Sequence, residues 1–147
     1  MAGLAGTLSG CTSGAGPTTD PTAAAAAARG LRRRAARDSA GLLARYQATV
    51  AAHPGLADSL APYADAVSAH LRALTEPGRE PAGATGGPPE VPAEPAAALG
   101  ALSEAEQELS GKRLSSVAEA PPDLARLLAS LSAAGAAHAH LLHEVAA

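Results

Sequence analysis

Alanine sets the limits on what this chain can fold into. It occupies 41 of 147 positions, against 19 Leu, 5 Val, two Tyr and no Ile, Phe or Trp. Strands draw on β-branched and aromatic side chains, which are nearly missing, whereas Ala is the strongest helix former. An all-α fold follows. The same composition makes the core thin: burying a Leu contributes roughly 1.5–3 kcal/mol and an Ala methyl far less. Small side chains also let helices approach one another closely.

Apolar spacing predicts four helical segments. The first runs to about Ala52, capped at its start by Asp20-Pro21 and stopped by His53-Pro54-Gly55, with a seam of Ala35, Ser39, Leu42, Tyr46 and Thr49. The second, Leu56 to Leu74, repeats at intervals of three and four through Leu60, Tyr63, Val67 and His70. Residues 23–74 thus form one helical hairpin. Residues 75–95 contain six Pro and four Gly with no apolar period, the composition of a disordered linker that cannot offset its ordering entropy. Residues 96–147 form a second hairpin. Its third helix carries Leu99, Leu102, Leu109, Leu114 and Val117 and ends at Pro121-Pro122; its fourth carries Leu124, Leu128, Leu131, His138, Leu142 and Val145. Two hairpins make a four-helix bundle in one domain, for which an up-down-up-down course is expected, with a long crossover as the alternative.

The net charge of −3 gives no global drive toward nucleic acid or an anionic membrane. One local exception exists: Arg29, Arg32, Arg33, Arg34 and Arg37 place five cations in nine residues. No aromatic side chain is interleaved for base stacking, which argues against nucleic acid. A solvated helix face explains the run, and contact with lipid headgroups explains it if the chain sits at a membrane.

The only cysteine, Cys11, follows Leu8-Ser9-Gly10. This tetrad resembles the lipobox of bacterial lipoproteins, in which a thiol behind two small residues is diacylated before cleavage leaves the cysteine as the new N-terminus. The resemblance implies a signal and lipobox segment over residues 1–10, a lipid-anchored flexible tether over residues 11–22, and a place on the outer face of the bacterial cytoplasmic membrane. Met1 to Thr7 supplies no basic residue and a short apolar run, so the native start is expected further upstream. Lipobox, linker and Ala/Arg/Pro bias together resemble small lipoproteins of high-GC bacteria.

Two histidines fall on otherwise apolar seams. His70 lies 16 residues past Pro54 and Asp38 16 before it; His138 lies 17 past Pro121, with Glu104 and Glu106 17 and 15 before it. Antiparallel residues equidistant from a turn share a height, here about 24 Å from the turn. Asp38, His70, Glu106 and His138 would then meet in one layer if both turns lie at one pole. Two carboxylates and two imidazoles suit a divalent metal ion; they also suit a closed, hydrogen-bonded layer that fixes register. A bundle with such residues at mid-height is similar to the ferritin-like superfamily, but the Glu-x-x-His motif of its di-iron members is missing from both hairpins. No phosphate loop, paired-cysteine motif or nucleophile beside a base occurs. The expected function is a non-enzymatic, lipid-anchored cell-envelope protein with an interaction bundle, possessing no cofactor; the alternative is a metal-binding ferritin-like bundle.

Overall fold

The computed structural model describes residues 20–146. The tetrad ending at Cys11 and most of the expected tether lie outside the described residues. Four α-helices account for the fold: α1 (Pro21–Ala52), α2 (Ala57–Leu74), α3 (Pro95–Ser115) and α4 (Pro122–Ala146), with 3-10 turns at Pro54–Leu56 and Ser116–Glu119. Among the described residues there is no strand, and no helix is long and apolar enough to cross a membrane. The all-α four-helix bundle expected from composition is what forms.

Helix α1 begins as its sequence dictates: Pro21 occupies the first turn and the Asp20 carboxylate accepts a bond from Thr22 N at 2.9 Å. Its first turns project beyond the bundle, since Ala23 to Ala27 are exposed on every side. Packing starts at Leu31. One apolar cluster joins Leu31, Ala35 and Ala36 of α1 to Leu71 and Leu74 at the end of α2 and to Leu124 and Leu128 at the start of α4. A second joins Leu42 and Tyr46 to Leu60 near the start of α2, to Leu99 and Leu102 near the start of α3, and to Leu142 near the end of α4. We refer to the pole of the first cluster as lower and that of the second as upper.

These partners fix the direction of every helix. Helices α1 and α4 run upward, α2 and α3 downward, and the two hairpin turns lie at opposite poles. The expected up-down-up-down course is therefore replaced by the crossover alternative. Twenty residues separate α2 from α3, and an extended chain of that length reaches ~60 Å or more, well beyond the ~30 Å height of a helix such as α3. Nothing in the linker's length forces α3 to start where α2 ends.

The crossover contains neither helix nor strand, but it is laid against the bundle. Ala82 packs on the lower cluster, and His53 Nε2 lies 2.9 Å from the Pro92 carbonyl at the upper pole. Gly78 and Gly86 take positive φ values of 78° and 112°, which side chains other than hydrogen resist, and each sits at a bend of the crossover. Its middle, from Gly83 to Pro88, is fully exposed. A glutamate-specific protease should accordingly cut at Glu80 and Glu90 before any helical site, leaving the two hairpins to co-elute in gel filtration. Cleavage beginning at Glu104 or Glu108 of α3, or at Glu144 of α4, would contradict this arrangement.

Candidate functional site

Each helix contributes to a polar layer in the middle of the bundle. Glu106 of α3 is fully buried, at 0% exposure. Its Oε1 accepts hydrogen bonds from the Tyr46 hydroxyl of α1 at 2.8 Å and from His138 Nδ1 of α4 at 3.1 Å; the second bond places a proton on Nδ1. His70 of α2 stacks on His138, with ring centroids 6.2 Å apart and planes within 10°. Tyr63 closes the group, edge-on to His138 at 5.2 Å and stacked on Tyr46 at 6.5 Å. Both tyrosines of the chain are in this layer.

Three of the four residues expected to share a layer therefore meet: His70, Glu106 and His138. They meet although the turns lie at opposite poles. His138 lies about 12 Å below the upper end of α4 and His70 about 20 Å below the upper end of α2, and side chains lean toward the N-terminus of their own helix. His70 on the descending α2 leans up and His138 on the ascending α4 leans down, so the two rings converge. Asp38 does not join them. The buried face of α1 runs through Ala35, Ser39, Leu42 and Tyr46, and Asp38, one residue ahead of Ser39, is turned about 100° away from that seam. It is exposed and lines a surface groove with Lys112. Glu104, the stand-in for Glu106, lines a different surface groove with His140 and His143.

The space for the Glu106 carboxylate is made by Gly135. A Cβ at that position would stand 3.2 Å from Glu106 Oε2 and 3.5 Å from the Glu106 carbonyl oxygen. Around it α3 and α4 approach closely enough for side chains to bond the facing backbone: Ser110 Oγ to Ser132 O at 2.8 Å, Ser132 Oγ to Ser110 O at 2.9 Å, and Ser103 Oγ to Ala139 O at 2.6 Å.

A second buried charge lies below the layer. Arg113, 2% exposed, donates to Ser39 Oγ at 2.9 Å and to the Leu131 carbonyl at 3.2 Å. Sequence reasoning missed it, although Leu99, Leu102, Glu106, Leu109 and Arg113 are all buried and follow one another at intervals of three and four. Following the spacing through the charged positions would have found both. Leu114, expected on that seam, is 62% exposed instead.

Burial and its neighbours tune these groups. Desolvation, then the Arg113 and His138 charges, hold the His70 imidazole below its ordinary value. Desolvation, then the adjacent Glu106, push the Tyr46 hydroxyl far above its usual range, so it acts as a neutral donor. Three buried polar atoms lack a partner among the described residues: Glu106 Oε2, His70 Nδ1 and Arg113 Nε. Among those residues no three His, Cys, Asp or Glu side chains converge as a ligand set for a metal ion.

The layer also divides the charge. Traced along the helices, all 11 Lys and Arg lie level with it or below it, together with nine of the 14 acidic residues, Glu106 and Asp65 among them. Above it stand Asp58, Glu90, Glu94, Glu104 and Glu144 without a single Lys or Arg. The arginine run of α1 belongs to the lower pole and faces two ways: Arg32, Arg33 and Arg37 line one groove, while Arg34 lines another beside Lys112.

Compared with known proteins, the chain matches no family model, no curated protein and no solved structure.

Glu106→Ala strands the Tyr46 and His138 donors and should lower stability by about 2–4 kcal/mol, whereas Tyr46→Phe should cost about 1 kcal/mol. Glu106→Gln, which keeps an acceptor oxygen, should fall between them in urea unfolding; equal losses for Ala and Gln would mean the hydrogen bonds are unimportant. The pH response follows from His70. Unfolded, it takes a proton near 6.5, while the folded state resists it. The stability it contributes is complete above that value and is lost progressively as pH falls below about 6.5 toward the lower folded pKa. A melting series from pH 8 to 5 should decline less steeply for His70→Gln than for wild type.

Proposed function

We propose that this chain is a non-enzymatic, lipid-anchored protein of the cell envelope, held through Cys11 on the outer face of the bacterial cytoplasmic membrane. Its bundle is an interaction module that stands with its basic pole toward the lipid. The observation that carries this reading is the charge division: every Lys and Arg falls at or below the polar layer, on the side where α1 begins. That is the pole nearest Cys11 in the chain. The segment Thr12–Asp20 spans at most about 30 Å, so the arginines of α1 lie within reach of the surface that holds the anchor. Cations near an anionic bilayer contribute about 1 kcal/mol each, and lipid chains with a basic patch hold more firmly than either signal alone. The upper pole, acidic and free of Lys and Arg, is left to face a partner. The layer of Tyr46, Glu106 and His138 serves this reading as a register lock in a core poor in large side chains.

Expression in a bacterium behind a lipoprotein signal sequence, followed by detergent partitioning, tests the anchor. Wild type should enter the detergent phase with the mass of an acylated, cleaved chain, and Cys11→Ser should remain aqueous. Both variants in the aqueous phase would remove the lipoprotein reading.

A second reading is a metal-binding bundle. The single crossover between α2 and α3 is the connectivity of ferritin-like folds, and Glu106 Oε2 and His70 Nδ1 are buried without partners. With His138 they are the carboxylate and imidazole donor types that a zinc-like ion takes, and binding would have to draw them together, since they do not converge as a ligand set. Zinc should then raise the melting temperature of wild type by mass action but not that of His70→Ala or His138→Ala. A flat response in wild type would exclude it.

A further inference from the structure

The lower pole contains a pocket that the arginine run alone does not reveal. It is a concavity of ≈ 250 Å³ between α1 and the start of the crossover, just below the ~300–1,000 Å³ typical of drug-sized ligands. One wall carries Arg32, Arg33 and Arg37; the floor is apolar, made by Ala36, Leu74 and Ala82. The other wall holds Arg79, Glu76 and Glu80. Half of these charges are spoken for. Arg79 Nε pairs with Glu76 Oε2 at 3.1 Å, and Arg32 Nη1 donates to the Ala73 carbonyl at 3.2 Å. Among the described residues, no side-chain hydrogen bond or ion pair engages the Arg33 or Arg37 guanidinium. Being four apart on a helix, they stand one above the other on the same face.

Two free guanidiniums above an apolar floor, with a lone carboxylate opposite, match the headgroup of an anionic phospholipid. Its phosphodiester accepts the charge-assisted bonds that guanidiniums make best, its hydroxyls can donate to Glu80, and the root of an acyl chain can rest on Leu74. We propose that this pocket binds one anionic phospholipid headgroup, so that the bundle grips a particular lipid instead of only a charged surface. The proposal deepens the membrane reading, which makes lipid the source of the phosphate, but it does not depend on acylation of Cys11.

The test uses the full chain carrying Cys11→Ser, so that no acyl anchor contributes. Short-chain phosphatidylglycerol below its micelle concentration is titrated by calorimetry, beside short-chain phosphatidylcholine and inorganic phosphate. Saturable binding of phosphatidylglycerol is expected, with phosphatidylcholine and phosphate much weaker. Arg33→Gln/Arg37→Gln should weaken it at least about tenfold, because two charge-assisted contacts are lost. Arg72→Gln/Arg126→Gln, which removes the same charge from the same pole away from the pocket, should leave it within about twofold. Equal weakening by both double variants would mean diffuse attraction and overturn the pocket. Phosphate binding as tightly as the lipid would overturn the lipid assignment, and no saturable binding would overturn the proposal altogether. An aqueous wild-type chain in the detergent experiment would instead remove the anchor and leave this result standing.

Discussion

A fully buried carboxylate in a bundle of alanines is the constraint on which the rest of this structure depends. Glu106 is 0% exposed, and taking such a group from water is tolerable only when it is hydrogen-bonded. The Tyr46 hydroxyl and His138 Nδ1 meet that demand from two other helices. Gly135 keeps a methyl group out of the carboxylate's place. Sliding any of these helices by one turn would strand Glu106, so the layer supplies the register that small, interchangeable alanine side chains cannot. Arg113 and its bonds to Ser39 and Leu131 repeat the device nearer the lower pole.

Connectivity then turns a featureless charge balance into a directional one. With α1 and α4 ascending and α2 and α3 descending, the cationic ends of three helices and of the crossover gather together. A chain of net charge −3 becomes a body with a basic pole and an acidic pole. The same atoms joined in up-down-up-down order would have carried Lys112 and Arg113 away from the arginines of α1 and dispersed the patch.

Much of the fold was legible in the sequence, for identifiable reasons. The ends of α1 and α2 at Ala52 and Leu74 were marked by the His53-Pro54-Gly55 stop and by the onset of the Pro/Gly run. The sequence carries the third helix on to Pro121-Pro122, but its last turn tightens to a 3-10 form over Ser116–Glu119. Helix direction was not legible, since a flexible composition over twenty residues is compatible with a return to either pole. In the site, His70, Glu106 and His138 emerged from counting residues back to a turn. Counting gives height but not phase, and Asp38 fails on phase alone. Arg113 was passed over because a search for apolar spacing skips charged residues that occupy the same helical stripe. The charge division is invisible without connectivity, since it needs both helix direction and the level of the layer.

The hydrogen bonds of the layer close long segments of chain: Tyr46 and Glu106 are 60 residues apart, Glu106 and His138 32. Each hairpin collapses on short-range contacts, but the Tyr46 bond cannot form until both hairpins exist and have docked with the crossover between them. Interactions made this late are weakly developed in the folding transition state, and their main kinetic effect is on unfolding. The buried glutamate thus acts chiefly as a latch on escape from the native state. For a small domain with so slight an apolar core, the time before the bundle opens rests more on that latch than on how fast it assembles.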